Sequence, residues 1–77
     1  MTTASQTLAL LPGEEFIELY KVLKVQSMTG GGGEAKFVIS EGMVTVDGEV
    51  ETRKRKKVTA GQVVSFNDES VTIVAAD

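Results

Sequence analysis

The chain has 77 residues and a net charge of −3, and it contains neither cysteine nor histidine. That length allows one domain, and the missing side chains exclude a disulfide framework, a Cys-type zinc site, a thiolate nucleophile and an imidazole base. Its hydrophobic share of 42% and charged share of 25% are those of an ordinary folded globule. A chain this small buries only about 60–65% of the surface its unfolded form exposes, so its expected stability is a few kcal/mol.

Met1 to Thr7 is small, polar and aperiodic, which predicts a mobile tail ahead of one domain over residues 8–77. Leu8 to Leu11 suits an edge strand or an apolar flap, and Pro12-Gly13 then punctuates the chain. From Glu14 to Val25, Phe16, Leu19, Tyr20 and Leu23 fall at helical spacing, with Ile17 and Val22 widening the stripe. Acids at its start and Lys21 and Lys24 at its end match the helix dipole, so a helix of about three turns is expected there. Gly30 to Gly33 interrupt the pattern. A second helix fits Gly33 to Glu41, with Ala35, Val38 and Ile39 inward and Gly42 just past its end. Met43 to Val46 alternates, Asp47-Gly48 signals a hairpin turn, and Val50 starts the return. After the basic run, Val63 to Phe66 and Val71 to Val74 read as strands separated by an Asn67-Asp68-Glu69 turn. Two helices, a hairpin and two short strands make a small α+β domain.

The four glycines do not make a phosphate loop, because Glu34-Ala35 stands where a Walker-type loop needs Lys-Ser/Thr. They read as a helix–helix linker; the alternative is that N–H groups at the start of the second helix donate to a partner's phosphate, against which Glu34 places a negative charge. The carboxylate pairs Glu14-Glu15, Glu49/Glu51 and Asp68-Glu69 lack a third ligand at metal spacing and any accompanying nucleophile. Glu14-Glu15 read as helix-start acids, Asp68-Glu69 as turn residues, and Glu49 and Glu51 as balance for the basic run. No catalytic residue, metal site or cofactor is expected.

The charge is distributed unevenly. All eight cations lie between Lys21 and Lys57 with only five acids among them, a surplus of three, while the flanks carry six acids and no cation. Five of those cations are consecutive: Arg53, Lys54, Arg55, Lys56 and Lys57. Phosphates respond to local potential more than to total charge, so the run points to a polyanionic partner. If extended, it sends Arg53, Arg55 and Lys57 to one side and Lys54 and Lys56 to the other. With no tryptophan and only Phe16, Tyr20, Phe37 and Phe66 as aromatics, stacking of unpaired bases is disfavoured. Recognition of folded RNA by shape and backbone fits better. Phe16, Tyr20 and Phe66 are expected in the core.

The stretch from Glu34 to Val64 carries a helix with Ala35 and Ile39, then Gly42-x-Val44-x-Val46-Asp47-Gly48, then the basic loop, then Val58 and Gly61. This resembles the alpha-L RNA-binding motif, or S-four domain, and Glu49-Val50-Glu51-Thr52-Arg53-Lys54-Arg55 is similar to its small stand-alone YbcJ-like branch. With the first helix included, the resemblance covers about residues 14–74. It implies two short helices packed on a small bent, mainly antiparallel sheet, and an RNA-contacting surface made by the second helix and the hairpin loops. Lys36 matches the exposed basic position after the helix-two alanine, and Arg53, Lys54, Arg55 and Lys57 match the basic loop. Gly32 departs from the pattern, since many members carry arginine three residues ahead of that alanine.

The resulting expectation is a non-enzymatic, monomeric RNA-binding protein. Its RNA-binding residues would be Lys36, Arg53, Lys54, Arg55, Lys56 and Lys57, with Lys21 and Lys24 in second rank. By resemblance its partner would be structured ribosomal or transfer RNA, with the ribosome or another protein as a further partner. The alternative is a protein–protein module docking the basic loop on an acidic partner. No basic residue precedes Lys21 and no apolar run is long enough for a signal core or membrane span, so a cytoplasmic location is expected.

Overall fold

The computed structural model describes residues 4–76. Strands β1 (Ala4–Ala9) and β2 (Ile17–Glu18) precede helices α1 (Leu19–Val25) and α2 (Gly32–Ser40). They are followed by β3 (Val44–Val46), β4 (Glu49–Val50), β5 (Lys57–Val58), β6 (Val63–Phe66) and β7 (Glu69–Val74). A mixed, mostly antiparallel sheet has the order β1-β7-β6-β3-β4, and β2 and β5 form a separate two-stranded ribbon. The architecture is α+β with two helices on the sheet, as expected.

Alternation along the strands builds one side of the core. Val44, Val46, Val64, Phe66, Val71 and Ile73 are buried, and Leu19, Val22, Leu23, Ala35, Val38 and Ile39 from the two helices cover them. The Asp47-Gly48 turn holds both residues at positive φ, 53° and 84°, the geometry of a tight hairpin turn. The Asp47 carboxylate also accepts the Val63 N–H at 2.9 Å, tying that turn to β6. Gly42, at φ +76°, follows the C-cap of α2, where a left-handed residue ends the helix.

Three expectations are corrected. Residues 4–7 of the expected tail belong to β1, which pairs in parallel with β7 at the sheet edge in a register from Ala4↔Glu69 to Ala9↔Val74; Met1 to Thr3 lie outside the described residues. Backbone pairing needs no apolar pattern on the outer face, so a polar edge strand leaves little trace in composition.

The expected three-turn helix from Glu14 is shorter. Glu14 closes a turn at Pro12-Gly13 through its N–H to the Leu11 carbonyl and its carboxylate to the Leu11 N–H. Ile17 and Glu18 then pair antiparallel with Val58 and Lys57, so helix begins only at Leu19. Phe16 consequently leaves the core and is 38% exposed.

The glycine run is only half linker, because Gly32 and Gly33 form the first turn of α2. The Glu34 carboxylate accepts the Gly30 N–H, so one amide of the run is already engaged by an acid.

Candidate nucleic-acid interface

The basic run does not lie extended. Its N-terminal side is fastened to the main sheet by the Glu51 N–H to the Val44 carbonyl at 3.0 Å, and its C-terminal side continues into β5. Between these anchors the chain turns at Lys54-Arg55, closed by the Lys56 N–H to the Arg53 carbonyl at 3.1 Å. Two-sided alternation therefore does not occur.

The same turn completes α1. Glu18 supplies no side-chain cap, and the N–H groups of Leu19 and Tyr20 donate instead to the carbonyls of Lys56, at 2.9 Å, and Lys54, at 3.1 Å. Those N–H groups have no partner within the helix, so the loop main chain satisfies donors that would otherwise go unpaired. The loop backbone is thus held inward, while Arg53, Lys54, Arg55 and Lys57 are exposed and Lys56 is half-buried. Arg53, Arg55, Lys56 and Lys57 border an open depression of about 380 Å³.

Lys57 extends its ammonium 5.0 Å from the centre of the Phe16 ring, and Lys36 on α2 lies 4.8 Å over the Tyr20 ring. Both contacts are within cation–π range. Since the Tyr20 N–H is bonded to Lys54, Tyr20 connects Lys36 to the loop. Lys21 pairs with Glu18 at 3.4 Å and lines a neighbouring hollow of about 550 Å³ with Arg55 and Lys57. Lys24 is placed differently, with its aliphatic chain against Gly32 at the start of α2. The structure therefore draws Lys21 and Lys36 toward the loop and leaves Lys24 at the helix–helix junction.

Glu51 balances the basic run through one residue. Its carboxylate accepts Arg53 Nε–H at 2.9 Å, Arg53 Nη2–H at 3.2 Å and the Arg53 main-chain N–H at 3.0 Å. Hydrogen bonds from the Arg53 side chain, then from its backbone, hold the Glu51 carboxyl down to about 2 against a small opposing effect of burial. The Arg53 guanidinium is raised by the same pair. Because the Glu51 value is depressed, the pair's contribution is complete above the ordinary glutamate value near 4.5 and is lost as pH falls toward 2. A carbon-detected NMR titration of Glu51 is expected to show a midpoint near 2, moving back toward 4.5 in Arg53→Ala. An unshifted midpoint in the wild type would show that the pair does not persist in solution.

Sequence reasoning missed Phe16, which leaves the core to lie beneath Lys57; Tyr20 packs half-buried against the core as expected, and its further contact with Lys36 was not foreseen. The helical spacing of Phe16 with Leu19 and Leu23 concealed its departure. It also missed the specificity of Glu51 for Arg53, for which an acid two residues before an arginine in a loop is only a weak signal. Phe37 is 61% exposed on α2, Phe66 is buried, and no helix among the described residues is long and apolar enough to cross a membrane.

The family model of the S4 domain matches residues 11–74. The chain is 52% identical to YbcJ of Escherichia coli (strain K12) over 59 residues, covering 77% of this chain and 84% of that protein, and equally so to YbcJ of Shigella flexneri. The solution structure of E. coli YbcJ, described as revealing an alfaL motif involved in RNA binding, aligns with a TM-score of 0.63 and 45% identity. That alignment covers 97% of this chain and 91% of the other. The 30S ribosomal protein S4e of Thermoplasma acidophilum shares the fold, with a TM-score of 0.62 and 24% identity over 74% of this chain and 30% of its own. With both helices and every strand of the main sheet except β1 inside the matched region, the chain belongs to the S4 domain family.

Proposed function

We propose that this protein binds structured RNA without catalysing a reaction, and that its Arg53–Lys57 loop contacts the phosphate backbone. The observation that carries this reading is the loop itself: consecutive cations on a turn whose main chain is bonded to α1 and to β3. Membership of the S4 domain family and likeness to YbcJ support RNA as the polyanion. Fixed cations suit an A-form duplex, which is recognised through its shape and backbone. Lys36 and Lys21 extend the contact, and Lys24 adds only long-range potential. Phe16 and Tyr20 already lie under ammonium groups, so base stacking is not their role. Ribosomal and transfer RNA are the folded RNAs we favour as partners, met in the cytoplasm by a monomer.

The test is an NMR titration of labelled protein with an RNA hairpin and, separately, with duplex DNA of equal charge. Salt-sensitive shifts are expected at Lys36, Lys21 and Arg53 to Lys57, larger for RNA than for DNA. Equal, weak shifts with both would reduce the loop to a generic polyanion patch. Silence with both would transfer the loop to an acidic protein partner.

A further inference from the structure

An acid that grips a cation inside a phosphate-binding loop is electrostatically out of place. Glu51 cancels much of the Arg53 charge and adds a negative group where the RNA backbone would approach. If charge alone governed the surface, the loop would bind better without it. Its geometry is more specific than charge neutralisation needs. The carboxylate takes the side edge of the guanidinium, formed by Nε and Nη2, and also the Arg53 main-chain N–H. One residue thereby fixes both the backbone and the planar head of Arg53. The Glu51 side chain is itself only 15% exposed, whereas that of Arg53 is 73% exposed.

A guanidinium has two edges that can grip paired oxygens. With the side edge occupied, the end-on edge formed by Nη1 and Nη2 is left for a ligand, at an orientation already set before binding. We infer that Glu51 is a positioning residue which presents Arg53 as a fixed two-pronged ligand for the two non-bridging oxygens of one RNA phosphate. Lys54, Arg55, Lys56 and Lys57 supply attraction from any direction, and Arg53 supplies register. This rests on the RNA-binding reading above and adds to it a division of labour within the loop. Preorganisation matters because immobilising a long side chain at the moment of binding subtracts from affinity.

The experiment is a double-mutant cycle on the full chain with Glu51→Ala, Arg53→Lys and the double variant, each titrated with bulk transfer RNA and with heparin. Heparin is a polyanion without a regular phosphate register. Glu51→Ala removes a negative charge and Arg53→Lys preserves the positive one, so simple electrostatics predicts tighter binding for the first and no change for the second. The inference predicts that each single variant loses about tenfold in transfer-RNA affinity, the value of a charge-assisted hydrogen-bonded contact. The double variant is expected to be no weaker than Arg53→Lys alone, while heparin binds Glu51→Ala at least as tightly as wild type. Arg53→Lys leaves the acid and its main-chain bonds in place, so it remains informative if Glu51→Ala loosens the loop. Should Glu51→Ala and Arg53→Lys bind transfer RNA as well as wild type, the positioning role is overturned and the RNA reading survives. Should wild type fail to bind transfer RNA while binding heparin, both fall together.

Discussion

Exchanging Lys54, Arg55, Lys56 and Lys57 together for glutamine is expected to lower RNA affinity on the order of 10²–10³-fold near physiological salt. Each neutralised phosphate releases condensed counterions, so the effect grows with the number of contacts and shrinks as salt is raised. If about five phosphates are neutralised, the wild type should show log K falling against log salt with a slope of roughly −3.5 to −4.5, and the variant a slope nearer −1. Arg53 is retained in this variant because Glu51 already offsets it. The fold should survive, since the carbonyls of Lys54 and Lys56, rather than their side chains, receive the Leu19 and Tyr20 N–H groups. Unchanged amide shifts at Leu19 and Tyr20 would verify that control. A wild-type slope near zero would end the electrostatic account of the loop.

Leu19→Ala is expected to cost about 2–5 kcal/mol, the usual range for truncating a fully buried leucine. Leu19 is 0% exposed in the core and opens α1 with its N–H on the loop, so it joins the core to the backbone that anchors the turn. A domain of this size holds only a few kcal/mol in reserve, and the melting temperature should fall by at least about 10 °C. Val25→Ala, on the same helix but at a residue 52% exposed, is the control and should stay within about 0.5 kcal/mol of wild type. Denaturant unfolding of both variants decides the matter. A Leu19→Ala protein as stable as Val25→Ala would mean that the α1–loop junction is not part of the cooperative core.

What the sequence disclosed follows from how local each signal is. α2, the Asp47-Gly48 hairpin, β6 and β7 were legible because period, glycine placement and turn chemistry act within a few residues. β1 was only half legible: Leu8 to Leu11 suggested an edge strand, but residues 4–7 did not, because the partner strand Glu69–Val74 lies at the far end of the chain and Ser5 to Thr7 are polar. β2 was misread because Phe16, Leu19, Tyr20 and Leu23 satisfy a helical period, although pairing with Lys57 and Val58 takes Ile17 and Glu18 out of the helix. Charge made the members of the candidate site easy to name from the sequence. Their arrangement was not, since it depends on contacts between separate elements: Lys36 over Tyr20, Lys57 over Phe16, and a turn where alternation had suggested a strand.

The bonds between the basic turn and the first helix have a consequence for how readily this surface could change. Every anchor there joins one main chain to another and is indifferent to which side chain hangs from it. Lys54 and Arg55, at the tip of the turn, can therefore be rewritten as a cassette, in nature or by design, with the scaffold reading neither new letter, whereas Lys57 is also held by its contact with Phe16. A library randomised at these two positions should yield mostly folded proteins that differ in what they bind, making the turn a transferable platform for altered recognition.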